Sequence, residues 1–457
     1  MQSYSKGAKY SSIESRFNHD QIDTLMNIIP NGNFDVGRLG DLPDDWKVKS
    51  PRPGLAPIFK LTKKKGRKVL LMAGNGRDDC VGQLSTAIQL RAGRTYRFRT
   101  QFEISGELNS NKNLLFCIYS KDFNNGIFEF KRLSNGLVVG EGRFAAPAKK
   151  EVSGDVRIFF RFSAKGKAWI HDISLKECKS VPPRPVTLAC VNGHGSLTDW
   201  RRVLDAAGRA GVDLVLLPEY MNGTERESLR GPSATLMAQK ARLYGNYVAG
   251  GIFYYEKKTD SLYNTALLFD RRGRRIGRYD KVHPFSPENL DDGVTPGTQV
   301  PVFKTDFGKV GFMICYDSWF TDVAELLALK GAEIILFPSV GYYRSLMPAR
   351  AADNGVRVLA SSLESGYGIW DTTGCEATRT KRPATCYCRL PSVFSRVRTR
   401  KFKKVEMLIA TLDLSQSPSP HNWGGPMLSA PGGRRSRRDQ TQLLYEEIQC
   451  EVERWGT

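Results

Sequence analysis

Histidine is scarce in this chain, and acid is outnumbered by base. Five histidines, His19, His171, His194, His283 and His421, are spread over 457 residues. None of them pairs with another at helical or turn spacing, which argues against a histidine-built metal centre. No apolar run approaches the roughly 18 residues that a bilayer-spanning helix needs, so a soluble globular protein without a membrane partner is expected. Met1 to Ile28 is polar and lacks the apolar centre of a secretory signal, which makes the cytoplasm the expected location. The nine cysteines are an odd number at irregular spacing, so a complete disulfide framework is not expected. Cys386-Tyr387-Cys388, with Cys375 upstream, is a lone C-x-C without the second pair that a zinc or redox site needs.

Aspartate and glutamate together number 47 against 68 lysines and arginines, a formal net charge of +21. Much of the surplus sits in three runs: Lys63 to Lys68 (KKKGRK), the stretch with Arg396, Arg398, Arg400, Lys401, Lys403 and Lys404, and Arg434 to Arg438 (RRSRR). Solvated basic faces are the ordinary reading of such runs. Polyanions would adhere to them in a non-specific, salt-sensitive way. No recognition motif accompanies the charge, so no specific nucleic-acid partner is expected.

The length suffices for two ordinary domains with sizeable cores. Residues 1–27, rich in Ser, Lys and Tyr, read as a flexible segment. Residues 28–180 consist of short apolar or alternating runs separated by Gly, Asn, Asp and Pro, among them VGQLSTAIQL, TYRFRTQFEI, NLLFCIYS, VRIFFRFS and KAWIHDISL. That texture predicts an antiparallel β-sandwich. Trp46 and Trp169 can stack on a sugar, although an aromatic at a sandwich strand position is ordinarily core. The proline-rich VPPRP, Val181 to Pro185, marks a junction. From 185 to 457 strands alternate with helical patterns: VTLACVNG, a helix over Leu197 to Gly211, GVDLVLLPE, ATLMAQKARLYG, NYVAGGIFYYE and YNTALLFD. Alternation of this kind predicts an α/β domain.

Within that region one stretch carries the chemistry. Lys309 to Phe320, KVGFMICYDSWF, is an apolar strand that ends in Cys315 and turns abruptly polar. Asp317, Ser318 and Trp319 then begin a helical pattern through Val323, Leu326, Leu327 and Leu329 that stops at Lys330 and Gly331. A thiol at a strand-to-helix turn sits beside backbone N–H groups that no helix bond satisfies, which favours a thiolate and can hold an oxyanion. A buried structural cysteine is the ordinary alternative. Two further strand ends deliver charged groups: Glu219 closes GVDLVLLPEY, and Lys281 in RYDKVHPF follows a short strand whose last clear apolar member is Ile276. A carboxylate can take the proton of a thiol, and an ammonium can stabilise charge on the attacked group.

Glu219 in LLPEY, Lys281 in YDKVHPF and Cys315 in GFMICYDSWF together resemble the nitrilase superfamily of carbon–nitrogen hydrolases, with its Glu-Lys-Cys triad in that chain order. The resemblance covers about Pro185 to Leu414. Glu288 in SPENLDDGVTPG stands where the family carries a second glutamate, and GVTPG resembles the turn that follows it. AEIILFPS and RAADNGVRVLASS resemble the strand after the nucleophile helix and the next helix and strand. The resemblance implies a four-layer α-β-β-α sandwich, which periodicity does not distinguish from a doubly wound sheet. It implies Glu219 as general base, Cys315 as nucleophile, Lys281 and the backbone N–H of Tyr316 as oxyanion donors, and Glu288 as an aid to hydrolysis of a thioester. His283, Asp317 and Trp319 are the pocket-lining candidates.

CYD at the nucleophile resembles the amidase and carbamoylase branches, where nitrilases usually carry CWE. The expected substrate is therefore a small amide or N-carbamoyl compound, with a nitrile as the alternative. Many amidases continue with an arginine and F-P-E; Ser318, Trp319 and Phe320 stand here instead, which weakens the case for carboxylate-bearing substrates. The opening NGNFDVGRLGDLPDDW and the close AWIHDISLKE of the first domain resemble a galactose-binding-type jelly roll, as in carbohydrate-binding modules, and imply weak carbohydrate binding as one use of this all-β domain. Thr372 to Lys404 reads as an enlarged family loop. QLLYEEIQCEVERW, from Gln442 to Trp455, reads as an amphipathic helix ending a tail, and such tails in the family wrap a partner subunit, which implies a homodimer or larger homo-oligomer. Acyl transfer to an amine, and a catalytically silent scaffold built on the sandwich and the basic surface, are the competing functions.

Overall fold

The computed structural model describes residues 26–105, 108–120, 124–127, 130–147, 151–180, 182–377, 394–415 and 449–450. Cys386 and Cys388, the RRSRR run, the first 25 residues, and all of the expected C-terminal helix except Gln449 and Cys450 lie outside them.

Strand residues up to Cys178 pair antiparallel into two sheets. One runs Lys47–Lys49, Val81–Leu90, Val152–Arg161, Leu114–Tyr119, Asn124–Ile127; the other runs Ile58–Lys64, Arg67–Ala73, Lys167–Cys178, Thr95–Ser105, Val138–Ala145, Phe130–Arg132. Period-two alternation makes each strand amphipathic. Leu84 and Ile88 from the first sheet thus meet Phe98 and Phe102 from the second in one core. Trp46 belongs to that core, beside Phe34 and with its indole N–H donating to the Pro30 carbonyl. Trp169 lies 3.4 Å beneath the Lys64 ammonium. Neither ring is presented as an open platform for a sugar.

The second half is sheet-rich α/β. Its strands include β1 (Pro185–Asn192), β2 (Leu214–Leu216), β3 (Tyr247–Glu256), β4 (Ser261–Phe269), β5 (Arg275–Asp280), β6 (Val302–Lys304), β7 (Lys309–Phe312), β8 (Ile334–Ser339), β9 (Arg357–Ser362), β10 (Phe394–Lys401) and β11 (Glu406–Asp413). Helices α1 (Leu197–Arg209), α2 (Pro232–Tyr244), α3 (Ser286–Leu290), α4 (Asp322–Leu329) and α5 (Leu346–Asn354) lie between them. Local sequence sets their ends. Ser196 and Asp199 form a reciprocal capping box at the start of α1, Pro232 opens α2, and Gly245 in the left-handed region closes it.

Two stacked sheets are expected from the resemblance, yet hydrogen bonding runs as one path, β5-β4-β3-β2-β1-β9-β8-β7-β6. The path crosses from one half to the other through a single pair, Asn192 with Ser362. On either side of that crossing the packing separates. Leu188, Leu214, Leu216 and Leu268 share a core with Phe312, Leu336 and Leu359 and with α4 and α5, through Leu327 and Met347. The opposite faces of β1 to β4, with Val191, Val215, Val248 and Leu267, pack on Trp200, Val203 and Leu204 of α1 and Met237 of α2. The parallel centre is apolar on both faces, as strands covered on both sides require. Among the described residues no helix is long and apolar enough to cross a membrane.

Candidate active site

Three strand ends meet at one buried point. Glu219 follows β2, whose run stops at Pro218, and its side chain is 1% exposed. The approach of β3 to it depends on Gly251: a Cβ there would sit 2.7 Å from the Cα of Glu219, and the Gly251 N–H donates to the Pro218 carbonyl at 3.0 Å. Lys281 comes directly after β5, with its N–H donating to the Asn264 carbonyl of β4 at 2.9 Å. The GVTPG turn closes over it. The Gly297 N–H donates to the Lys281 carbonyl at 2.8 Å, and a Cβ at Gly297 would meet the Asp280 carbonyl oxygen at 2.1 Å. Only glycine admits such an approach.

The Lys281 ammonium, also 1% exposed, donates to Glu219 Oε1 at 3.0 Å and to Glu288 Oε2 at 2.7 Å. Burial pulls its pKa down, but Glu219, the Cys315 sulfur and Glu288 together outweigh that, and the net direction is up. It is a cation at every physiological pH. Glu288 is held below the ordinary carboxylate range: burial raises it, but Lys281, Tyr220 and the Phe285 N–H outweigh the burial. Asn264 Nδ2 spans both carboxylates, 2.6 Å from Glu219 Oε1 and 2.7 Å from Glu288 Oε1. The Val340 N–H donates to Glu219 Oε2 at 2.6 Å, and the Tyr220 hydroxyl donates to Glu288.

Cys315 opens a short 3₁₀ turn, Cys315–Trp319, in a left-handed backbone conformation with φ +43°. Tyr220, directly after Glu219, has φ +49°. Non-glycine residues in this region each store roughly 1–3 kcal/mol of strain. The Cys315 thiol donates to the Gly341 carbonyl at 3.4 Å. Burial and then the Glu219 carboxylate push it up to about 12, against the opposing pull of Lys281. Cys315 is therefore held as a thiol, not the thiolate that a strand-to-helix turn suggests. The Glu219 carboxylate is close enough to act on that thiol directly.

The pocket candidates divide. Asp317 is 0% exposed and does not line a pocket. Its carboxylate accepts from the Tyr279 hydroxyl at 2.7 Å, the Ile314 N–H at 2.8 Å and the His283 N–H at 2.9 Å, and lies 3.1 Å from His283 Nδ1. The expectation of a substrate contact at Asp317 is replaced by a clamp that ties the lysine loop to the cysteine turn. His283 is partly buried, stacks on Phe320 with centroids 4.2 Å apart, and has its pKa raised by Asp317 first and by Asp322 next, against desolvation. Trp319 is 53% exposed and edge-on to Tyr343 at 4.9 Å. Tyr316 is the second residue of the 3₁₀ turn, where a backbone N–H has no acceptor within the helix.

Asn264, Tyr220 and the Val340 N–H were not singled out by the sequence. The signal for Asn264 was present: a lone amide in the apolar run YNTALLF, which burial obliges to find partners. Val340 acts through its backbone and leaves no signal.

The carbon–nitrogen hydrolase family model matches residues 192–366. Omega-amidase NIT2-B of Xenopus laevis is 31% identical over 195 residues, covering 37% of this chain and 70% of that protein. A nitrilase of Pyrococcus abyssi is 36% identical over 171 residues, covering 34% of this chain and 63% of that protein. Among solved structures, Saccharomyces cerevisiae Nit3, a member of branch 10 of the nitrilase superfamily, aligns at 23% identity with a TM-score of 0.41, over 50% of this chain and 90% of that one. The chain belongs to the carbon–nitrogen hydrolase family.

Proposed function

We propose that the protein hydrolyses the carbon–nitrogen bond of a small amide or N-carbamoyl compound through a thioester on Cys315. Glu219 takes the thiol proton as sulfur attacks the carbonyl carbon. The oxyanion that forms is held by the Lys281 ammonium and the Tyr316 N–H. When the tetrahedral intermediate collapses, Glu219 returns the proton to the nitrogen, and ammonia or an amine leaves. Water then attacks the thioester, giving its proton to Glu219 while Glu288 holds Lys281 in place; acid is released and the thiol restored. The observation that carries this reading is the Cys315 thiol beside a buried carboxylate that is itself bonded to a buried ammonium. The omega-amidase relatives favour amides over nitriles.

Three loops around Cys315 carry exposed aromatics: Phe285 at 47%, Trp319 at 53% and Tyr343 at 61%. Tyr316 touches both Phe285 and Trp319. The Arg344 guanidinium nearby is bonded to Glu376 and the Tyr367 carbonyl. An aromatic rim with its arginine engaged suits a neutral, partly apolar substrate better than one bearing a free carboxylate. Two packed sheet layers with helices outside, the four-layer sandwich, are the architecture proposed for the second half. The first half is proposed as a galactose-binding-like jelly roll, with weak carbohydrate binding and a homodimer as further proposals.

A panel of amides, N-carbamoyl compounds and nitriles, scored for ammonia release in wild type and Cys315→Ala, tests the proposal. Release from amides that vanishes in the variant supports it. Release from nitriles alone would move the chemistry to the nitrilase reaction. Release that persists in Cys315→Ala would remove the thioester, and a folded protein inert to the whole panel would favour the scaffold.

A further inference from the structure

Two carboxylates share one ammonium in this site, so something has to decide which of them carries the moving proton. Lys281 donates to both. Asn264 also donates to both, one hydrogen of Nδ2 to each. Beyond these shared donors, Glu288 receives the Tyr220 hydroxyl and the Phe285 N–H, whereas Glu219 receives the Val340 N–H. Each donor favours the ionised form of the carboxylate it contacts.

The orientation of the Asn264 amide is fixed, because both of its neighbours are acceptors. Among the described residues its buried carbonyl oxygen has no hydrogen-bond partner. A neutral donor is what the position calls for. A second ammonium here would hold both carboxylates as anions and disable the base, and an aspartate would add a third negative charge.

We infer that Asn264 is a positioning residue that, shared like Lys281 between the two carboxylates, supports the ionised Glu219 carboxylate as proton acceptor, while Tyr220 and the Phe285 N–H, which bond Glu288 and not Glu219, leave Glu288 the standing anion. The inference rests on the reading of Glu219 as the base for Cys315. The titratable groups facing the two carboxylates are Lys281, Cys315 and Tyr220; burial and both carboxylates keep the Tyr220 phenol protonated.

The test needs no known substrate. Alkylation of Cys315 by iodoacetamide is followed by peptide mass mapping between about pH 4 and 9, a window that spans carboxylate and histidine titration, in the full-length wild type, Asn264→Ala, Asn264→Ser, Asn264→Asp and Glu219→Gln. Loss of a donor to the Glu219 carboxylate is expected to move the acid limb of alkylation up by about half a pH unit or more in Asn264→Ala. Asn264→Ser, which can bond only one carboxylate at a time, falls between, and Asn264→Asp moves furthest. A structural role alone would lower the melting temperature and leave the limb where it is. An unmoved limb in Asn264→Ser and Asn264→Asp, with wild-type near-ultraviolet circular dichroism, overturns the inference even if Asn264→Ala does not fold. Glu219→Gln separates the two claims: if the limb survives in it, Glu219 is not the base and the underlying reading fails instead.

Discussion

Cys315 opens the turn that follows an apolar strand. The turn suggested a thiolate; burial and the Glu219 carboxylate make it a thiol with a pKa pushed up to about 12. In the proposed mechanism proton transfer accompanies attack, and Glu219→Gln is expected to reduce kcat/KM by on the order of 10³-fold or more. Single-turnover kinetics would check this, and acylation at the wild-type rate in Glu219→Gln would contradict it. Glu288 offers a pH test of its own. Its folded pKa is lowered from the ordinary 4.5, so it contributes stability above that value and loses it as pH falls through the depressed folded pKa. Melting temperatures of wild type and Glu288→Gln are expected to differ most at neutral pH and to converge in acid. A gap that stays constant across the range would contradict the burial of an ionised Glu288.

At the scale of elements, the site depends on close approaches and on a clamp. The glycine pair in YVAGGIFYYE reads in sequence only as a permissive stretch of strand. Its meaning is three-dimensional, because Gly251 lets β3 pass against the backbone of Glu219. Gly251→Ala is expected to displace the base and lower kcat roughly 100-fold with a modest change in melting temperature. Unchanged kcat would show that β3 yields without moving Glu219. Asp317 was misassigned for a related reason. Residue type and its place two positions after the nucleophile suit a pocket group, whereas the burial and partners that make it a clamp come from Tyr279 and His283, distant in sequence. Asp317→Asn is expected to destabilise the protein by about 2–4 kcal/mol in denaturant titration. It also removes the main influence holding the His283 pKa up. That raised pKa stabilises the fold below the unfolded value of 6.5 and the contribution fades as pH rises through the folded one. An NMR titration is expected to find His283 at lower pKa in Asp317→Asn than in wild type.

Across the whole molecule, the alternation of strands and helices after the VPPRP junction marks an α/β region, and the alternation within strands before it marks a layered β structure. The order of strands could not be read, because pairing partners such as β1 and β9, joined through Asn192 and Ser362, are far apart in the chain. Motifs at strand ends fared better, since the three triad candidates each follow an apolar run, and a sheet gathers such ends at one edge. What the sequence leaves open is the substrate, for which the exposed Phe285, Trp319 and Tyr343 are the proposed rim. Trp319→Ala is expected to raise KM for aromatic amides more than it lowers kcat, and an equal loss for small aliphatic amides would argue against the rim as a specificity element.

The central claim, a thioester formed on Cys315, is tested most directly by intact-mass analysis of the protein quenched during turnover of an active amide. An adduct equal to the acyl group, mapping to Cys315 and absent in Cys315→Ala, is the expected result. Ammonia release by Cys315→Ala at the wild-type rate, with no adduct in either protein, would contradict it.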